Sequence, residues 1–423
     1  MTKLFVIVFV LALLFFSPNA LAASFSFAVS SSLGHASFSP TLPLNPLNIK
    51  NRTLSSPNAQ FEGYFGWSVS MSGNLVTVGA QGETVDGYLA GAGHAYIFNS
   101  ATGKLIFSLT SPNPIYDGDF GYSVYMSGKL VAIGAPGETV DGDLFAGHAY
   151  IFNAVTGKLV TALTSPNVQS FGDFGFSVSM NGKLVTVGAV DETADGYSDA
   201  GHAYVFNANT GKLIQTLTSP NAQSYGWFGY SVSMSGKLVT VGAQEETADG
   251  YAGAGHAYIF NVVTGKLIQT LTSPKAQSDG LFGTSVSASG ALVTVGAEAE
   301  IVDGYTYAGH TYVFNAISGK LVQTLTSPNA QSDGFFGQSV SMTAKLVVVG
   351  APDETADGYS YAGHAYEFNA NTGKLVQTLS SPNAQEGGAF GWSVFMSGKL
   401  VTVGAPYEPT TSAEGYAYIF YNI

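Results

Sequence analysis

The chain has 423 residues, 46% hydrophobic and only 10% charged, with a formal net charge of −13 and no cysteine. That length and apolar fraction suffice for a large core and argue against a disordered chain. The missing cysteines exclude a disulfide scaffold, and the 52 glycines point to many turns.

The chain opens with Met1-Thr2-Lys3 and an apolar run, Leu4 to Phe16, that is short for a bilayer span. Ser17-Pro18-Asn19 breaks the run, and Ala20-Leu21-Ala22 is a small-x-small sequence. This pattern predicts a secretory signal peptide, residues 1–22, cut near Ala22. No later apolar run is long enough to cross a membrane, so no span is expected after cleavage. Residues 23–46 are rich in Ser, Phe, Leu and Pro and read as a leader or linker. Asn51-Arg52-Thr53 matches a glycosylation sequon, a match expected by chance in a chain of this length.

From residue 65 the chain repeats. Phe-Gly pairs start at Phe65, Phe120, Phe174, Phe228, Phe282, Phe336 and Phe390, the first interval 55 residues and the others 54. Within the unit at Phe228, Ser231 to Met234 alternates small polar and apolar residues, and Ser235-Gly236 makes a tight turn. Leu238 to Val241 is rich in β-branched residues. The loop QEETADGYAGAG follows, then a second alternating run, His256 to Asn261. Thr264-Gly265 turns the chain into Leu267 to Thr272, and Ser273-Pro274 ends it, because proline cannot donate to a ladder. The unit is therefore four short strands, A to D. Seven such units predict an all-β, seven-bladed β-propeller over residues 47–423, with a β-solenoid as the alternative.

The last unit lacks a D strand, because the chain stops at Ile423. Residues 53–64, TLSSPNAQFEGY, align with the D end of the other units. Leu47 to Ser55 should therefore complete the last blade and close the ring, leaving no free sheet edge.

The unit resembles the FG-GAP repeat of integrin α-chain propellers and their bacterial relatives. Phe120-Gly121 with Gly134-Ala135-Pro136, Phe336-Gly337 with Gly350-Ala351-Pro352, and Phe390-Gly391 with Gly404-Ala405-Pro406 carry the resemblance; Gly188-Ala189-Val190 shows a varied third letter. Many such repeats hold Ca²⁺ in a DxDxDG loop between the FG and GAP strands. Here that position reads MSGN, MSGK, MNGK, MSGK, ASGA, MTAK and MSGK, with no carboxylate. Ca²⁺ needs six to eight oxygens, several from carboxylates. The chain is closer to the calcium-loop-free bacterial variant.

In a four-stranded meander the A–B and C–D turns share one end of the disc, and the B–C loops and D–A connectors share the other. Eleven lysines fall by the former, and nearly all acids by the latter. The B–C loops carry Glu83, Asp86, Tyr88, Glu138, Asp141, Asp191, Glu192, Asp195, Tyr197, Glu245, Glu246, Asp249, Tyr251, Glu300, Asp303, Tyr305, Asp353, Glu354, Asp357 and Tyr359. These are the candidate ligand-binding residues of an acidic, aromatic loop face. Such a face disfavours nucleic acid, whose binding rests on phosphate neutralisation. The alternative is plain solubility of a net-negative surface.

Strand C begins with His94, His148, His202, His256, His310 and His364, and the last unit has Tyr416 instead. A residue repeated in every blade suits a per-blade structural bond, to the loop Asp or to a carbonyl. Catalysis needs one asymmetric site. The Glu-x-x-Asp-Gly loops could supply weak Ca²⁺ ligands, although their spacing is not that of a known calcium loop; no cofactor is otherwise expected. No nucleophile elbow, zinc-protease, Walker or dinucleotide motif is present. The expectation is a secreted or cell-surface monomer, not an enzyme, that binds a protein or glycan. The alternatives are a lectin with sites between blades and tyrosines as stacking platforms, and a hydrolase or lyase using the His and carboxylates.

Overall fold

The computed structural model describes residues 51–421 other than Tyr88. The expected signal peptide, the leader, Leu47–Lys50 and the Tyr88 side chain lie outside the described residues. The described chain forms 28 strands in seven four-stranded antiparallel sheets arranged as a ring, with no helix.

Blade 4 shows how the repeat folds. Strand A runs Phe228–Ser235, B Leu238–Ala243, C His256–Asn261 and D Leu267–Leu271. Gly236 makes the A–B turn with φ +59°. A bulge separates the Phe228–Ala243 pair from the Ser231–Gly242 pair and leaves Gly229 and Tyr230 out of the ladder.

The glycines of the two motif halves explain why the motif exists. A Cβ on Gly188, in strand B of blade 3, would lie 2.1 Å from the carbonyl oxygen of Gly229 in blade 4. The same approach recurs at every seam, down to 1.9 Å between Gly404 and Gly66. Ser177 Oγ donates to that same Gly229 oxygen at 2.7 Å. Backbone thus meets backbone where the blades converge near the axis, and only glycine leaves room.

Further out, each blade buries both faces. Phe228, Tyr258 and Phe260 of blade 4 pack with Ala203, Val205 and Leu217 of blade 3. Ala257 and Ile259, on the opposite face, pack with Phe282 and Tyr312 of blade 5. Phe228 meets Phe260 edge-on at 6.0 Å, a favoured aromatic geometry. The strict alternation in strand C therefore separates two cores rather than core from solvent.

The last blade closes as the sequence predicts. Its strands A to C are Ser393–Ser397, Leu400–Ala405 and Tyr416–Tyr421, and its fourth strand is Asn51–Ser55. That strand runs antiparallel to strand C, with Asn51 opposite Phe420 and Ser55 opposite Tyr416. Arg52 adds bonds to the carbonyls of Ala101 and Thr102 in blade 1, at 2.7 and 2.8 Å. Glu367, an acid on a strand and not in a loop, is buried in strand C of blade 6 and accepts from Gln377 Nε2 at 2.6 Å.

Candidate functional site

The B–C loops are built on buried glutamates. Glu83, Glu138, Glu192, Glu246, Glu300 and Glu354 are each 0–1% exposed. This corrects their assignment to an exposed binding face: they lie beneath the loops. Glu192 accepts from Tyr204 Oη at 2.5 Å and from Ser165 Oγ of the preceding blade. His202 Nδ1 stands 2.9 Å from the same carboxylate. The corresponding His–Glu distances in the other five blades are 2.8–3.1 Å. The group each repeated histidine stands against is the glutamate of its own loop, not the loop aspartate or a carbonyl. Burial, then the glutamate's charge, raises the Tyr204 hydroxyl far above its usual range, which keeps it a donor.

Blade 7 departs from this pattern. Glu408 bonds Tyr418 and Ser381, but Tyr416 stands where the histidine would be. Burial pushes the Glu408 carboxyl up to about 7, despite the two donors. A raised carboxyl stabilises the fold at low pH, and that stability is lost as pH rises through the folded value. Glu408→Gln is therefore expected to gain on the order of 1–2 kcal/mol at pH 8 and nothing at pH 4. Urea melts at the two pH values check this.

The loop tips are exposed. Asp86, Asp141, Asp195, Asp249, Asp303 and Asp357 all take a left-handed φ of 51–55° and face solvent. Tyr197, Tyr251, Tyr305 and Tyr359 stand two residues further on in four consecutive blades, each 46–48% exposed. Asp191, Glu245 and Asp353 lie half-buried, nearer the axis.

At this end the axis opens through a feature that sequence reasoning missed. The residue after each Phe-Gly pair is Trp67, Tyr122, Phe176, Tyr230, Thr284, Gln338 and Trp392 in turn, and these line a funnel of about 270 Å³. The aromatic members form an arc. Trp392 and Trp67 lie 4.7 Å apart, Trp67 and Tyr122 5.8 Å, Tyr122 and Phe176 4.9 Å, and Phe176 and Tyr230 5.0 Å. The signal was there to be read: the position varies in an otherwise strict repeat, and five of its seven residues are aromatic.

Carboxylates lie behind the lining: Asp119, Asp173 and Asp191 act on Tyr122. Thr284 Oγ1 donates to Glu298 at 3.1 Å, on the side where the arc is broken. Burial lifts Glu298 to about 7; Asp353, also affected by the charge of Asp333, rises to about 6. Asp119 rises to about 7 through burial and the neighbouring Asp117. Asp173 and Asp191 share a hydrogen bond, and burial followed by the Asp191 charge raises Asp173. Among the described residues, no three His, Asp or Glu side chains are grouped so as to hold a metal ion. The A–B turns, where calcium would sit in related repeats, offer Ser, Gly, Ala, Thr, Asn and Lys only, and do not fit the ion.

The FG-GAP repeat family matches residues 51–98, 158–206, 212–260, 320–368 and 374–420. The chain belongs to the FG-GAP repeat family. No curated protein matches it. Each matched FG-GAP stretch runs from a D strand to the C strand of the next blade. The family's unit of similarity therefore straddles the interblade seam, where the paired glycines and the Ser–Glu bond lie. Five of the seven mouth residues, Trp67, Phe176, Tyr230, Gln338 and Trp392, fall inside matched stretches, and they vary from blade to blade.

Proposed function

We propose that the protein is a non-catalytic interaction module that works outside the cytoplasm, needs no cofactor, and seats a basic side chain of a protein partner in the axial mouth. The observation that carries this reading is the aromatic arc that lines the funnel, with Glu298 bonded to the lining Thr284, Asp353 acting on Glu298, and Asp119 acting on the lining Tyr122. Aromatic faces attract a cation through their quadrupole, by about 2 kcal/mol or more when desolvated. Carboxylates with raised proton affinity lose that burden when a cation arrives. The exposed aspartates of the loop tips would steer a basic partner toward the mouth. The histidines support a non-catalytic role, since each stands against a buried glutamate of its own blade, His310 differing only in its full burial and its contact with Lys275.

Binding of a lysine- or arginine-bearing peptide should strengthen as pH rises. The ionised carboxylates bind the cation, so affinity grows through the range about 6 to 7 set by Asp353, Glu298 and Asp119. Affinity at pH 8 is expected to exceed that at pH 5 by about tenfold. Calorimetric titration at the two pH values tests this. Glu298→Gln should flatten the dependence, and an acidic peptide should not bind.

A second reading rests on the rim tyrosines. Tyr197, Tyr251, Tyr305 and Tyr359 are half exposed, and each follows an exposed aspartate. An aromatic face beside a carboxylate suits a sugar ring, which would make the same loops a lectin surface. A glycan screen in which Tyr197→Ala and Tyr251→Ala abolish a signal, with Trp67→Ala silent, would favour that reading over the axial one.

A further inference from the structure

The opposite end of the disc carries charge of the other sign. Eleven lysines stand by the A–B and C–D turns, all exposed, and those turns contain no Asp or Glu. Among the described residues no lysine is in a salt bridge. The turns are also knit into one surface. Gly182 N donates to Ser127 Oγ of the neighbouring A–B turn at 3.0 Å, and Gln215 and Gln269 hold the C–D turns of the next blades at Val263 O and Ile317 O.

Apolar side chains accompany the lysines. At the C–D turn tips Val155, Val263 and Ile317 are 55%, 60% and 56% exposed, each three residues before a lysine. Directly after each of those lysines strand D opens with an exposed leucine: Leu159, Leu267 and Leu321. Apolar tips and leucines interleaved with long basic side chains form the pattern that lets a surface settle into headgroups while ammonium groups reach phosphates. The chain also enters the propeller at this end, because Asn51 pairs with Phe420, at the turn end of strand C.

We propose that this lysine end docks on an anionic lipid surface, presenting the loop end and its axial mouth outward. The net charge of −13 does not oppose this. Strands of six residues separate the two ends by about 20 Å, more than twice the screening length of roughly 8 Å in physiological salt. The membrane meets the lysines and hardly senses the acids. The same separation gives the molecule a strong electrical orientation.

The test is partitioning of the full chain onto vesicles of phosphatidylcholine alone and of phosphatidylcholine with about a third phosphatidylglycerol. The ratio between the two isolates the lipid-charge effect from any apolar contribution of residues outside the described fold. The ratio should be large, fall with salt, and drop about a hundredfold in the triple variant Lys158→Glu, Lys266→Glu, Lys320→Glu. Val155→Ser, Val263→Ser, Ile317→Ser should weaken binding to anionic vesicles several-fold. Unchanged circular dichroism and melting would show that both variants fold. A ratio near one, a ratio untouched by charge reversal, or heparin bound as tightly as vesicles with the serine variant silent would overturn the proposal; the last outcome would mean a surface for soluble polyanions, not lipid.

Discussion

Alanine in place of Gly188 is expected to unfold the protein at physiological temperature or to cost at least about 4 kcal/mol. The added methyl would sit 2.1 Å from the Gly229 carbonyl oxygen, and backbone lies on both sides of the contact. A flexible side chain could rotate away, but a main-chain carbonyl bonded to Ser177 cannot move without parting blades 3 and 4. Ordinary overpacking in a core costs about 1–3 kcal/mol because neighbours yield. Here the neighbour is the next blade, and a closed ring has no slack in which to displace it. Gly236, in an exposed A–B turn with nothing within 4 Å of its would-be Cβ, is the control. Alanine there should cost only the strain of a left-handed φ, about 1–2 kcal/mol. Chemical denaturation of the two variants checks the contrast. Equal losses at Gly188 and Gly236 would mean that the seam is looser than its backbone distances indicate.

Glu192→Ala should be the most damaging change among the loop acids, at about 3–5 kcal/mol. It removes the acceptor shared by the Tyr204 hydroxyl and Ser165 Oγ and the carboxylate that the His202 ring stands against, all of them buried. Three polar groups lose their partner, and a cavity opens under the loop. Since Ser165 belongs to the preceding blade, the loss also loosens a seam. Asp195→Asn, three residues along on the exposed tip, should change stability by less than about 0.5 kcal/mol, since asparagine accepts the same left-handed φ. Thermal melts separate these outcomes. A small effect at Glu192 would mean that the buried network is dispensable and that loop order comes from the backbone bonds alone, such as Gly201 N to Glu192 O at 2.9 Å.

The fold was almost wholly legible in the sequence, for a physical reason. A strict repeat writes the same local choices seven times, so turn residues such as Ser235-Gly236 and strand runs such as His256–Asn261 are read with little ambiguity. Ring closure followed from a missing strand at one end and a surplus one at the other. The site was harder to read. Glu192 and Asp195 look alike on the page, both acids in one polar loop. One is buried and the other exposed, because the first points back toward Tyr204, and nothing local in the sequence records that direction. Glu408 was overlooked because PYEP does not resemble DETADG, although both place Glu three residues after Gly-Ala. The axial aromatics were hidden for the opposite reason: Trp67, Thr284 and Gln338 mark one of the few positions that do not repeat, alongside those before Phe-Gly and after Gly-Ala. Six near-identical histidines drew the eye toward chemistry, whereas the structure gives each a partner in its own loop.

Nature has supplied a direct reporter for the axial mouth, because the protein's three tryptophans all lie at or beside it. Trp67 and Trp392 line the funnel, and Trp227 stacks on Tyr230 at 6.1 Å. The decisive measurement is tryptophan emission during titration with a lysine-bearing peptide at pH 8, with the same peptide acetylated on its lysines as control. A basic side chain entering the arc should change emission saturably, with the acetylated peptide silent and the change lost in Trp67→Ala and Trp392→Ala. Emission that stays flat while the peptide binds, or that responds equally to both peptides, would contradict the account and move the binding surface away from the axis.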